Sequence, residues 1–204
     1  STDKTSSIIE EMIEGDHRFT LRRNTEKCYA LKNIYTSLQS EELGDEDIVV
    51  LLDGDDWLSC TRVLNALNDV YAEGYLVTYG SYIMHPYGIV GPEPSEYPEQ
   101  IISNNLFRFD AWRASHLRTF KYHLWKQISE ADLKNKDGEF YDVTYDQAIM
   151  FPLLEMAGKR VKFINSILHV YNKENPLNVD KIKTSKQVHT ANEIRAKARY
   201  QRLY

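Results

Sequence analysis

Ile48-Val49-Val50-Leu51-Leu52-Asp53-Gly54-Asp55-Asp56-Trp57-Leu58 is the stretch on which the fold turns. A short, continuous apolar run rich in β-branched residues reads as a strand buried on both faces. It stops on three carboxylates in four residues. Upstream, a helix is expected from about Glu26 to Ser40, with Ala30, Leu31, Ile34 and Leu38 at helical spacing. Downstream, Ser59 or Thr61 is placed to cap a helix that turns Val63, Leu64, Leu67, Val70 and Tyr71 inward and ends at Gly74. Tyr75 to Met84 is again strand-like. Alternating helices and buried strands predict an α/β fold with a largely parallel sheet.

Further out the pattern is less regular. An N-terminal helix with Ile8, Ile9, Met12 and Ile13 on one face, capped by Thr2, Asp3 or Thr5, stops at Gly15. Phe19 and Leu21 suit a short strand. Four of the six prolines (Pro86, Pro92, Pro94 and Pro98) fall within His85–Gln100, which reads as a loop bordering a binding pocket. Arg108–Lys121 is rich in Arg, His and aromatics, with a helix beginning near Tyr122. Tyr145–Ala157 reads helical despite Pro152, ending at Gly158. Val161–Ile164 and Ile167–Tyr171 read as short strands, and Lys181–Tyr204 as a basic helix.

Composition bounds the function. The 204 residues carry a formal charge of −5, with 42% hydrophobic and 27% charged residues, which suits one folded domain. Lys181–Tyr204 holds seven Lys/Arg against Glu193 alone, so a body near −11 precedes a tail of +6. That body argues against a nucleic-acid binder, and membrane contact is expected only through the tail. No apolar run is long enough to span a bilayer. Cys28 and Cys60 make no disulfide framework, so a reducing, cytoplasmic setting is the default. Fourteen of the aromatic residues are tyrosines, suited to amphipathic packing or to sugar contact.

The acidic cluster carries the chemistry. Ligands of open α/β sheets bind at the carboxyl ends of strands, and clustered carboxylates repel unless a cation neutralises them. Hard oxygens on alternate residues suit Mn²⁺ or Mg²⁺ with open positions for a diphosphate. A solvated Asp-rich turn is the bland alternative. An EF-hand fails because Gly54 is misplaced and Trp57 intrudes. A haloacid-dehalogenase-type phosphatase normally has Thr or Val where this chain has Trp57.

The flanks resemble another family. Val49 to Leu58 looks like the Asp-x-Asp segment of family 2 inverting glycosyltransferases with the GT-A fold. Ser1-Thr2-Asp3-Lys4-Thr5 resembles the tail of their Ser-Thr-Asp motif. Asn24 through Ala30-Leu31-Lys32-Asn33 resembles their Asn-x-Gly-x-x-x-Ala-Arg-Asn segment, lacking the Gly and with Lys32 in place of Arg. Tyr145-Asp146-Gln147 is similar to their Glu-Asp motif, with Tyr145 replacing the acid. Ile167-Leu168-His169-Val170-Tyr171-Asn172 looks like their late strand. The Leu-Leu-Asp-Gly-Asp-Asp-Trp-Leu run, Ser115 to Phe120 and Asn175-Pro176-Leu177-Asn178 are most similar to members from large DNA viruses and some bacteria, a viral source putting the protein in host cytoplasm.

The resemblance implies a GT-A nucleotide-diphospho-sugar transferase fold over residues 1–180, with a donor and metal half at 1–84, an acceptor half at 85–180 and the basic helix at 181–204. It also implies that an opening strand-helix-strand is missing from this chain. The implied function is metal-dependent inverting transfer of a sugar, with UDP the expected nucleotide, to a glycan or glycoprotein acceptor by a monomer or part of a larger chain. Asp55 and Asp53 become metal and donor ligands, with Asp56 supporting them. Asp146 is the general base, although a carboxylate at a helix start is also an ordinary cap. His169 is either a third metal ligand or a hydrogen-bonded core residue. Asn24, Lys32 and Arg118 are expected at the donor, Arg118 as an anion clamp at a helix start. His116, Trp112 and Tyr145 are expected at the acceptor. A sugar nucleotidyltransferase and a non-catalytic, cation-dependent carbohydrate-binding module remain the alternatives.

Overall fold

A computed structural model describes residues 3–40, 42–176 and 184–204. Ser1, Thr2 and the Leu177-Asn178 pair, on which parts of the resemblance rest, lie outside the described residues, as does the start of the basic tail. The described elements are α1 (Thr5–Ile13), α2 (Tyr29–Ser40), β1 (Ile48–Leu51), β2 (Trp57–Leu58), α3 (Val63–Ala72), β3 (Val77–His85), β4 (Ile89–Val90), α4 (Glu99–Ser103), β5 (Arg118–Lys121), α5 (Tyr122–Trp125), α6 (Tyr145–Ala157), β6 (Val161–Asn172) and α7 (Thr184–Ala196).

One mixed sheet organises them, in the order β1-β5-β3-β6-β2, with β4 attached to β3. The expected largely parallel sheet is corrected: among the described pairings only β3 with β6 is parallel, and the other four are antiparallel. The cause is β5. Its four residues Arg-Thr-Phe-Lys were absorbed into an irregular stretch when read from sequence, yet Thr119 and Phe120 are fully buried. β5 runs antiparallel between β1 and β3, so Phe120 pairs with both Val49 and Val77. The two short late strands are one, β6, whose parallel register to β3 slips at Gly80 and Ser81.

β1 is half-buried along its length rather than buried on both faces. Among the described strands it pairs with β5 alone, and the next residue, Leu52, is 44% exposed. α1 begins after Lys4 without a side-chain cap, although the Asp3 carboxylate just before it accepts from the Thr5 N–H at 3.0 Å, and it buries none of its residues. The expected strand at Phe19 and Leu21 is absent. α3 begins without a side-chain cap and leaves Leu64 on the surface.

The core lies between the sheet and α6. Every residue from Gln147 to Ala157 is buried, and a helix apolar on all sides belongs inside a protein. Pro152 sits within it and donates no N–H to the helix ladder. Phe151 packs edge-on against Trp112 at 5.3 Å. The proline-rich segment is fastened to the sheet: the Tyr79 hydroxyl donates to the Ser95 carbonyl at 3.0 Å and accepts from the Tyr97 N–H at 3.1 Å.

The C-terminal end of α6 holds the tail. Glu155 accepts two bonds from Arg108, at 2.6 and 2.9 Å, and one from the Tyr200 N–H at 2.9 Å. Arg108 also donates to the Ile194 carbonyl at 2.7 Å. The helix in the tail ends at Ala196, and residues 197–204 continue without helix across the body. Ile194 is buried, whereas Val188 is exposed. Arg195 and Lys197 are spent on backbone carbonyls of the body. No helix among the described residues is long and apolar enough to cross a membrane.

Candidate functional site

Leu51 pairs with Arg118, so β5 begins where β1 ends. This register puts Arg118 on the same rim of the sheet as the acidic turn. The expectation that Arg118 opens a helix is corrected: it is the first residue of a strand, and its side chain is almost fully buried. The N-terminus of α6 reaches the same rim. Together they enclose a cleft of about 620 Å³, lined by Asp53, Gly54 and Asp55 on one side and by Thr144, Tyr145, Asp146 and Gln147 on the other.

The two sides are tied by a hydrogen bond, with an ion pair beside it. The Tyr145 hydroxyl donates to Asp53 Oδ1 at 2.7 Å. Arg118 Nη2 stands 3.6 Å from Asp146 Oδ2. Burial works against the Arg118 charge, but Asp146, Tyr145 and Asp53 outweigh it and raise its pKa. Burial, then Asp53, pushes the Tyr145 phenol far above its usual value, so Tyr145 stays a neutral donor. Asp55 Oδ2 accepts from Asn175 Nδ2 at 2.5 Å.

The backbone at the cleft is strained. Thr144, just before α6, has φ +56, and Tyr29, which begins α2, has φ +55; both line the cleft. The left-handed region is unusual for a β-branched or bulky residue, and such strain collects at functional sites. Two residues that line the cleft carry a buried polar atom without a protein partner, Arg118 Nε and Gln147 Oε1, and His169 Nδ1 behind the turn is another. Unsatisfied buried groups are rare in a fold, and each calls for an explanation such as strain, a catalytic role or a bound ion.

Of the residues read from sequence, Asp53, Asp55, Trp112, His116, Arg118, Tyr145 and Asp146 all line this cleft. Lys32 and Asn24 do not. Lys32 pairs with Glu26 at 2.9 Å in a neighbouring pocket of about 420 Å³, and Asn24 donates to Asn33 at 2.7 Å. His169 lies fully buried behind the turn, its Nε2 2.8 Å from Asp56 Oδ2. The other Asp56 oxygen accepts from the Asn172 N–H at 2.8 Å. Asp56 thus clamps the acidic turn to β6. Trp57 is 42% exposed, edge-on to His85 at 5.1 Å, rather than in the core. No residue of the proline-rich segment lines the cleft, which corrects its expected place at the pocket. Tyr171, Asn175 and, from α7, Gln187, Val188 and Ala191 line it without having been singled out as site residues. The approach of α7 is a long-range contact that local periodicity does not announce.

Two groups of side chains bear on a cation. Asp53 and Asp55 offer hard oxygens at the cleft; each has one oxygen held by a neutral donor, leaving the other for a ligand. That donor set fits Mn²⁺ or Mg²⁺. Asp56, His116 and His169 also bring one ligand atom each within 4.8 Å of one another. Yet the two imidazoles are stacked, with centroids 4.4 Å apart and planes 16° from parallel. Lone pairs lie in the ring plane, so stacked rings aim them side by side rather than at a common point. This cluster fits a metal less well than the two carboxylates.

No protein-family model and no curated protein sequence matches the chain. Solved structures do. The crystal structure of S. aureus TarS superposes with a TM-score of 0.58 at 15% identity, over 84% of this chain and 29% of that one. S. aureus TarS 1-349 in complex with UDP-GlcNAc gives 0.56 at 16% identity, over 85% and 47%, and its complex with UDP gives 0.53 at 14%, over 84% and 48%. The chain therefore spans less than half the length of these neighbours. The likeness shows that the chain shares the fold of these neighbours.

Proposed function

We propose that this chain is the core of a metal-dependent inverting glycosyltransferase that takes a sugar from a nucleotide-diphosphate donor, a UDP-sugar in the first instance, to an acceptor hydroxyl. One observation carries the reading. A carboxylate at the start of a buried helix, Asp146, and a pair of carboxylates at a strand end, Asp53 and Asp55, line one cleft with Arg118 between them. The shared fold with a protein solved in complex with UDP-GlcNAc and with UDP supports the nature of the donor.

The residues divide the work. Asp55, with Asp53, would hold the cation, which supplies charge neutralisation at the departing diphosphate. Asp146 takes the proton from the attacking hydroxyl. Arg118 is the fixed cationic group beside it, available to a phosphate or to a developing negative charge. Tyr145 aligns Asp53 by donating to one oxygen and leaving the second for the ligand. Trp112 offers an aromatic wall for a sugar ring. His169 acts through Asp56 rather than as a ligand, and Lys32 and Asn24 belong to the neighbouring surface.

The test is hydrolysis and transfer from UDP-, GDP- and dTDP-sugars with and without Mn²⁺. Metal-stimulated release of the nucleoside diphosphate, lost in Asp55→Ala, is the expected result. A carbohydrate-binding module gives none, and a nucleotidyltransferase instead requires a nucleoside triphosphate.

A further inference from the structure

We infer that His116 is a positioning residue: its imidazole, protonated on Nδ1, accepts a hydrogen bond from Arg118 through Nε2 and so fixes the guanidinium beside Asp146. The inference rests on donor and acceptor chemistry. Arg118 Nη2 and His116 Nε2 are 3.2 Å apart. A guanidinium has five N–H donors and no acceptor, so the bond forms only if His116 Nε2 carries no proton. The same Nη2 stands 3.6 Å from Asp146 Oδ2, so one nitrogen is shared between the imidazole and the carboxylate.

His116 is itself held from several sides. Its ring stacks on His169 at 4.4 Å and on Tyr171 at 5.6 Å, and the Tyr82 ring meets it edge-on at 5.5 Å. The Asp56 carboxylate also comes within 4.8 Å of an imidazole nitrogen of His116, but its two oxygens are bonded to His169 and to the Asn172 N–H. Arg118 is the charged group hydrogen-bonded to His116, and a cationic neighbour favours the neutral imidazole. Burial acts the same way and holds the His116 pKa well below its usual value. The ring is therefore a rigid neutral acceptor, anchored through His169 to Asp56 and the acidic turn. Without it, the guanidinium keeps only Tyr145 and Asp146 beside it and is freer to collapse onto Asp146 or swing into the cleft.

Two measurements test this, and only the second rests on the proposed function. The first is ¹⁵N NMR of the imidazole nitrogens in the full chain at neutral pH. The expected result is a neutral His116 with a protonated Nδ1 and a bare Nε2; a proton on Nε2 overturns the inference whatever the enzyme does. The second compares His116→Leu with His116→Gln, whose amide oxygen reaches about as far as Nε2, in Mn²⁺-stimulated UDP-GlcNAc hydrolysis. His116→Leu should lose about ten- to a hundredfold in kcat with little change in KM, as expected for a misaimed group, and His116→Gln should lose markedly less. Equal losses in the two folded variants, or none in His116→Leu, contradict the inference. Absence of hydrolysis by the wild-type chain would count against the proposed function alone, and the NMR result would still decide the role of His116.

Discussion

The two ends of α6 hold the same kind of chemistry in opposite conditions. At the C-terminal end Glu155 meets a bidentate Arg108 and a backbone N–H. At the N-terminal end Asp146 meets Arg118 at 3.6 Å, while Arg118 Nε and the adjacent Gln147 Oε1 lack protein partners. Both ends pair a carboxylate with a buried arginine. The closed pair binds the tail to the body and is structural. The open one lines a cleft, where the proposed function would put the donor. Acidic residues alone do not identify a site; the difference lies in which hydrogen bonds the protein has left unmade.

The largest expected effect breaks the open end. Asp146→Asn should lower sugar transfer by about 10⁴-fold, equivalent to roughly 5.5 kcal/mol of barrier, at the upper range for a lost general base. Its melting temperature should stay near wild type, and a variant that melts early would instead make Asp146 a structural cap. Breaking the closed end should do the reverse. Glu155→Ala leaves Arg108 buried without its partner and should cost about 3–5 kcal/mol of stability in urea unfolding. Wild-type stability in that variant would end the contrast.

Smaller effects sharpen the comparison. Tyr145→Phe removes one hydrogen bond to the Asp53 carboxylate, worth about 1.5–3 kcal/mol for a bond to a charged group. It should weaken Mn²⁺ activation in a metal titration without abolishing turnover. The smallest effect is in pH dependence. The folded His116 titrates well below its ordinary value, because of burial first and then Arg118 and His169. The unfolded chain takes up that proton near pH 6.5. As pH falls through about 6.5 the unfolded state gains a proton that the folded state refuses, so stability present above that pH is progressively lost below it. His116→Gln should flatten this slope in urea midpoints taken between about pH 7.5 and 5.5; an unchanged slope would show that His116 titrates normally.

Much of this site is local in sequence and was legible there. The turn at Asp53–Asp56 follows an apolar run, and Asp146 opens a helix whose limits, Tyr145–Ala157, were read correctly. What was hidden depends on pairing across long separations. β5 is too short to show alternation, so the antiparallel course that carries Arg118 to the rim could not be read. β1 promised a strand covered on both faces because its composition is that of a central strand, yet in the described chain it is half-buried and paired on one side. Asp56 looked secondary, and only the fold shows that it reaches His169 across 113 positions of sequence.

The most direct test of the central claim is a thermal-shift titration of the full chain with UDP-GlcNAc, with and without Mn²⁺, in wild type and Asp55→Ala. If the open end of α6 and the acidic turn form a donor site, the wild-type melting temperature should climb with ligand in the presence of Mn²⁺, reaching about 2.7 kcal/mol of stabilisation at a hundredfold excess over Kd. The climb should shrink without the metal and in the variant. No shift with UDP-, GDP- or dTDP-sugars under any of these conditions, or an equal shift in Asp55→Ala, would contradict it.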